Sequence, residues 1–351
     1  MKKIFCLLLA LMCLCSVAVA ETVNAKDEAV LNVFTWEGYI DYETVIKPFE
    51  EETGIKVNYA TFASNEEMYQ KLSAVDGGDY DIVLASDYIL NATREAGLMQ
   101  KLDKTIVTNL GNIDTRFANQ YYDPDNEYVM PYTSGIPLIV YDPSMVETEI
   151  TGLNDLWNES LVDSVGFIDD ARVSIGMVLL SMGKSMNTDD EAVLAEAAAK
   201  LEALKPNIHV LEYENLHNYL VSGDVSVVLT FTPYVGFALD ANPDLQVVWP
   251  HEGVGFGIDG CFIPVNAPHA KNANTFIEFL LRPEIAAICA EWQYYCSPNA
   301  AAFDYLSDAY KARPEFMGVF DYAGSTEMIR NLPTEDEQKF QDIWTTFKLG
   351  L

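Results

Sequence analysis

Two α/β lobes, each a mainly parallel sheet with helices on both faces, are what this 351-residue chain predicts. Three observations carry that expectation. The first hundred residues repeat a strand–helix–strand rhythm with short connections, the pattern of a parallel sheet covered on both sides. The middle of the chain breaks the rhythm with strands that read as crossing elsewhere, and then a second α/β set follows. Half of the residues are apolar, and about 330 of them in a mature chain are enough for two cores rather than one small one.

Residues 29–36 read as a β-branched and aromatic strand ending at Trp36. Residues 42–52 read as a helix with Val45, Ile46 and Phe49 on one face, stopped by Thr53-Gly54. Residues 55–62 alternate as a strand. Ser64 and Glu67 form a capping box for a helix over 65–74. Gly77-Gly78 turns the chain into a buried strand at 80–85, and Ser86-Asp87 caps the next helix. Residues 121–126 are a polar loop. Strands are expected at 128–132, 136–141, 165–168, 225–231 and 255–265, and helices at 154–159, 189–204, 275–281, 283–291 and 335–347. The chain is expected to cross between lobes near 134–137 and again near 255–262. That assigns 29–135 with 262–310 to one lobe and 136–261 with 311–351 to the other.

The first twenty residues read as a cleaved export signal. Lys2 and Lys3 precede an apolar run, and Ala18-Val19-Ala20 supplies the small-x-small cleavage pattern before an expected mature start at Glu21. The run is short for a membrane span. A lipoprotein signal is disfavoured, because Cys13 follows Met12 and Cys15 follows Leu14. Loss of Lys2 and Lys3 takes the formal charge from −32 to −34. Such a chain does not bind nucleic acid or an anionic membrane by electrostatics. The charge serves solubility, a cationic ligand or a basic docking partner. Cys261, Cys289 and Cys296 remain after cleavage, so at most one disulfide forms and a thiol is left over.

Several motifs carry no chemistry. Gly255 to Gly260 spells G-x-G-x-x-G, but a strand containing Pro264 follows where a nucleotide fingerprint needs a helix. Those glycines suit a bend or a close backbone approach. His209, His217, His251 and His269 lack metal-ligand spacing, and no calcium loop is present, so no metal or cofactor is expected. No serine sits in a nucleophile elbow. Asp169 and Asp170 are adjacent and point to opposite faces of an extended chain, so they cannot share a substrate. No catalytic constellation emerges. Instead, aromatics accompany carboxylates at element ends: Trp36 with Glu37, Tyr88 with Asp87, and Tyr294-Tyr295 before a Ser-Pro-Asn turn. Aromatic faces attract cations and carboxylates bind ammonium groups, so the pattern points to a cleft for an amine.

The stretches TWEGYID, FEEETGIKVNYATFASNEEMYQKL, YDIVLASDY, LMQKLDKTIVTNL, YDPDNEYVMPY, VVWPHEG, FIEFLLRPEIA and SPNAAA cover nearly the whole mature chain. With them the chain resembles the bacterial spermidine/putrescine-binding proteins, the extracytoplasmic receptors of polyamine ABC importers. The resemblance implies the two-lobed periplasmic binding protein fold, a ligand between the lobes, hinge closure, permease subunits as partners and a monomeric, non-enzymatic role. It implies that Trp36 and Tyr39 form one aromatic wall, that Ser86 and Tyr88 stand at the next strand end, and that Tyr295 belongs to the opposite wall. Asp170 and Asp259 match carboxylates that face the ligand's amines.

This sequence departs from that pattern. The family's Asp-Ala-Arg-Glu reads Asp170-Ala171-Arg172-Val173, so one amine-binding carboxylate is absent. Two tryptophan positions read Phe231 and Gly257, and Arg330 falls near a position that is often glutamine. Glu37 is the candidate replacement acid and Tyr234 the candidate replacement aromatic. Loss of one charge and two large rings, with Arg330 added, keeps another small organic cation or a zwitterion open as the ligand. An extracytoplasmic enzyme on the same scaffold is the remaining alternative.

Overall fold

The computed structural model describes residues 29–316, 322–330 and 332–350; the expected leader at 1–20 and the expected start at Glu21 lie outside them. The first unit is built as the rhythm predicts. Strand β1 (Val30–Trp36) is flanked in parallel by β2 (Lys56–Phe62) and β3 (Ile82–Ser86), with Val33 opposite both Tyr59 and Ile82. In a sheet with helices on both faces a central strand is buried on both sides, hence the buried run Val33-Phe34-Thr35.

The turn after β1 needs Gly38, which sits at φ +68°, a left-handed conformation open to glycine. Asp41 caps the segment that follows by accepting from the Thr44 N–H. That segment opens as a wide turn over Tyr42–Ile46 before tightening into α1 (Lys47–Thr53), which ends at Gly54 with φ +71°. Helix α2 (Asn65–Ala74) is capped by Ser64, whose hydroxyl accepts from the Glu67 N–H at 3.1 Å. The return bond differs from the expected box, because the Glu67 carboxylate accepts from Ala63 rather than from Ser64. Helix α3 (Asp87–Glu95) departs further. Ser86 occupies the cap position without a side-chain cap bond, and its side chain serves elsewhere.

The chain then runs through β4 (Met99–Gln100) to β5 (Val129–Gly135) and passes into the second sheet across Ile136 alone, entering β6 (Pro137–Tyr141). The second sheet orders its strands β10-β6-β9-β7-β8, with β7 (Val165–Ile168), β8 (Ile208–Glu212), β9 (Val227–Phe231) and β10 (Gln246–Val248). Its helices are α4 (Ala171–Ser181), α5 (Glu191–Glu202), α6 (Leu216–Ser222) and α7 (Thr232–Ala241). The expected helix at 154–159 is a pair of 3-10 turns, Leu153–Trp157 and Glu159–Leu161.

Residues 249–253 bring the chain back to β11 (Val254–Pro264). Along its whole length β11 belongs to the first sheet, pairing antiparallel with β3, β4 and β5 and parallel with the short β12 (Thr326–Met328). The return crossing therefore precedes Val254, ahead of the 261/262 boundary read from the sequence. Both sheets are mixed. Parallel ladders run through β1 and β7, and the strands next to the crossings, β5, β6 and β11, add antiparallel ones. Helices α8 (Ala270–Leu280) and α9 (Pro283–Gln293) complete the first unit, and α10 (Thr334–Lys348) packs on α4 and α5 of the second.

The glycine run 255–260 lies within β11 and does what close packing demands. A Cβ at Gly260 would stand 2.4 Å from the Val129 side chain, and one at Gly255 would stand 2.6 Å from Met186. Cys261, Cys289 and Cys296 are buried free thiols, and burial pushes Cys289 and Cys296 up to about 12.

Candidate ligand-binding cleft

Ser86 ends β3, Phe231 ends β9, and Asp170 follows β7 by two residues. All three line one cavity of about 580 Å³, together with β5, β11 and the segment after β12. This is the edge of an α/β sheet where ligands bind, outside the carboxyl ends of the strands.

One pole of the cavity is built on the first sheet. Ser86 and Asp259 are register partners across β3 and β11, so the end of one strand faces an acid on the other. The Asp259 carboxylate accepts from the Tyr39 hydroxyl and is also hydrogen-bonded by Ser86. Tyr39 is held in turn by the Thr133 hydroxyl at 2.9 Å, and its carbonyl accepts from Gln293. Burial raises the Asp259 carboxyl, and the two hydroxyls oppose that rise.

Beside it lies Asp87, only 7% exposed. One Asp87 oxygen accepts from its neighbour's N–H, that of Tyr88, at 2.7 Å; the other accepts from the Ile258 N–H at 3.0 Å. Desolvation lifts its pKa to about 7, the Ile258 N–H opposes that rise, and the charge of Asp259 adds to it. Among the described residues neither Asp87 nor Asp259 has a cationic side chain within ion-pair distance. Position 257 lies in front of this carboxylate: a Cβ there would stand 3.6 Å from the Asp87 oxygen, at ordinary contact distance.

The other pole carries charges of both signs. Asp170 caps α4 by accepting from the Val173 N–H at 2.8 Å. Its neighbour Asp169 turns the other way, to Trp344 and Lys348, each at 2.8 Å, as alternation along an extended chain requires. Arg172 is buried and committed. It donates to the carbonyls of Met186 and Arg330 and to the Asn187 side chain, lies 4.3 Å above the Phe340 ring and stands 3.4 Å from the Glu337 carboxylate. Desolvation lowers its pKa, opposed by Glu337 and Asp170. Arg330 brings a second guanidinium to the wall, and Glu337 and Gln341 come from α10.

Tyr88, Tyr213, Phe231 and Tyr295 supply the aromatic lining. The Tyr88 hydroxyl donates to Glu66, another wall residue, at 3.0 Å. Tyr213 and Phe231 lie with centroids 6.0 Å apart, and the Tyr295 ring approaches so closely that a Cβ at Gly135 would stand 3.0 Å from it.

Of the residues singled out from sequence, Ser86, Tyr88, Asp170, Phe231, Asp259, Tyr295 and Arg330 meet on this wall. Tyr39 lies behind it, orienting Asp259. Trp36, Glu37 and Tyr234 are not among the lining residues: Trp36 packs against Phe62, Glu37 is exposed, and Tyr234 stacks on His217. In the sequence Asp87 reads as part of a helix cap; in the structure it lines the cavity. Glu66, Tyr213, Glu337 and Gln341 carried no sequence signal, because a lone polar residue on a helix or loop looks the same whether it faces solvent or a cleft. No group of three or more His, Cys, Asp or Glu among the described residues is placed to hold a metal, and no described helix is long and apolar enough to cross a membrane.

Residues 44–318 match the family of bacterial extracellular solute-binding proteins. The chain is 36% identical over 285 residues to the spermidine/putrescine-binding periplasmic protein of Salmonella typhimurium, covering 81% of this chain and 82% of that one. It is 30% identical to a putrescine-binding periplasmic protein of Pseudomonas aeruginosa, covering 95% of each. Among solved structures, the spermidine/putrescine ABC transporter substrate-binding protein of Streptococcus pneumoniae superposes with a TM-score of 0.85 at 33% identity, covering 91% of this chain and 98% of that one. With its two α/β units, its cleft between them and a match across most of its length, the chain belongs to the bacterial extracellular solute-binding proteins.

Proposed function

We infer that this chain captures a polyamine, putrescine or spermidine, outside the cytoplasm and delivers it to the permease of an ABC importer. Its role is capture, not catalysis. The observation that carries the reading is Asp259: an acid inside the cleft, raised by burial, held by two hydroxyls and, among the described residues, without a cation in ion-pair distance. An ammonium group supplies the missing counter-charge, and a charge-assisted hydrogen bond is the strong kind. Asp170 takes the other ammonium end. Tyr88, Tyr213, Phe231 and Tyr295 flank the methylene chain between them, and a ring face that meets an ammonium group contributes about 0.5–2 kcal/mol. The relatives named above support the ligand class, since two bear spermidine and putrescine in their names and the third putrescine.

The chain works as an exported monomer, made with a leader over 1–20 and starting at Glu21. Its two units, crossing at Ile136 and at 249–253, close on the ligand by hinge motion. A second reading rests on Arg330: a guanidinium at the mixed pole suits the carboxylate of a zwitterion whose amine sits at Asp259. Titration calorimetry of the purified protein separates the two. Heat with putrescine or spermidine, and none with amino acids or sugars, is the expected result. Binding of a zwitterion without any polyamine heat would overturn the polyamine assignment.

A further inference from the structure

The reading above uses Asp259 and Asp170. It leaves unused a second buried acid on the same wall, and resting on the reading above we propose that Asp87, reached through the gap at Gly257, shares one ammonium end of the ligand with Asp259. The geometry is specific. Asp259 pairs in register with Ser86, and Asp87 is the next residue, so two carboxylates are presented at one junction of β3, α3 and β11. Each Asp87 oxygen accepts a single backbone N–H, from Tyr88 and from Ile258, and a carboxylate has about four acceptor positions. Two acceptor positions remain, and Asp87 lines the cavity.

Gly257 controls access. The Cβ position there has one near neighbour, the Asp87 oxygen at 3.6 Å, so any longer side chain at 257 competes with a ligand for the space in front of that carboxylate. Gly257 itself lines the cavity, which makes position 257 a specificity-determining one.

A consequence is that capture releases a proton. Asp87 faces Asp259 on β11, whose charge raises its pKa, and Arg172 on α4, whose charge lowers it more weakly. Tyr88 follows it on the same helix, and buried Tyr122 feels its charge from the loop beyond. With its pKa pushed up to about 7, Asp87 in the empty cleft carries a proton part of the time at neutral pH. The incoming ammonium stabilises the ionised form and expels that proton. Amines keep their charge well above this range, so the acid alone sets the pH dependence.

The test uses putrescine and calorimetry at pH 6, pH 7 and pH 8, each in two buffers of different ionisation enthalpy. For the unmodified protein, affinity is expected to weaken roughly tenfold from pH 8 to pH 6, with buffer-dependent heat at pH 7. Asp87→Asn is expected to bind roughly ten- to hundredfold more weakly at pH 8, with a flatter pH profile and less proton release. Gly257→Leu, which covers the carboxylate without removing it, is expected to weaken binding too, while Gly257→Ala, with ordinary van der Waals spacing to Asp87, keeps most of it. Thermal melts of each variant establish that it is folded. If the unmodified protein binds putrescine while Asp87→Asn and Gly257→Leu match it in affinity and pH profile, the inference is wrong and the polyamine reading stands. If the unmodified protein binds no polyamine, that reading fails and this inference with it.

Discussion

The two poles of the cleft hold similar groups in opposite states. At the β3–β11 pole, Asp87 and Asp259 are desolvated, close to each other and, among the described residues, bonded to hydroxyls and backbone N–H groups. At the α4–α10 pole, Asp170 and Glu337 share their surroundings with Arg172, whose guanidinium is fixed by three hydrogen bonds and the Phe340 ring. Burial penalises charge at both. Hydrogen bonds oppose the penalty at the first pole, but only at the second, among the described residues, does a protein cation stand within ion-pair distance of an acid. A buried acid without a partner is destabilising to the empty protein, and that same penalty is what a cationic ligand relieves. On the proposed reading, the acid-only end depends on the solute for its counter-charge more than the mixed end does.

That contrast sets a pH dependence of stability, the largest effect expected. Asp87 has a folded pKa of about 7 against an unfolded value near 3.8. The folded state thus holds the proton across that window while the unfolded chain gives it up. The contribution is fully present below about pH 4 and is lost as pH rises through 7, and Asp259, shifted in the same direction, adds to it. The ligand-free protein should be more stable at pH 5 than at pH 8 by an amount on the order of 2–4 kcal/mol. Urea unfolding at the two pH values measures it. Saturating putrescine should shrink the difference, because it stabilises only the folded protein and favours the ionised acids. Equal stability at pH 5 and pH 8 would mean that the acidic pole is already neutralised.

Next in size is the loss of the Asp259 charge. Asp259→Asn keeps the shape of the wall and removes the ammonium's principal partner. Polyamine affinity should fall by roughly tenfold to a hundredfold, corresponding to about 1.5–3 kcal/mol. Calorimetry reads this directly. Glu337→Gln is the matched change at the other pole, where Arg172 already answers the charge, and it should move affinity far less. Comparable losses in both variants would dissolve the distinction between the poles.

How much of this was legible follows from the kind of information each feature needs. The strand ends at Trp36 and Ser86 came from local pattern, since a β-branched run that stops is visible in one dimension. The opposite facing of Asp169 and Asp170 came from alternation and is present. The ladder of β11 with four other strands was not legible, because pairing partners as distant in sequence as Val83 and Phe262 leave no local trace. Asp87 shows the limit most clearly. Ser-Asp before a helix is an ordinary cap signal. Here Ser86 makes no cap bond, and Asp87 reaches back to the backbone of β11. Glu37 adjoins Trp36 in sequence, which makes it the candidate replacement acid; it is exposed and not among the lining residues, whereas Asp87 lines the wall.

The smallest effect separates two roles that one residue combines. Asp170 caps α4 through the Val173 N–H and also faces the cavity. Asparagine caps about as well as aspartate, whereas alanine removes a cap at a cost of about 0.5–2 kcal/mol. Asp170→Asn should therefore melt at the same temperature as the unmodified protein and lose only charge in the cleft. Because Arg172 on the same helix already feels that charge, and Arg330 stands nearby, the loss of polyamine affinity should be smaller than for Asp259→Asn. Asp170→Ala should show the same affinity change with a lowered melting temperature. A loss in Asp170→Asn as large as that in Asp259→Asn would place equal reliance on both ends of the ligand. The mixed pole would then be an ammonium seat in its own right, and the guanidiniums beside it would act on something other than the amine.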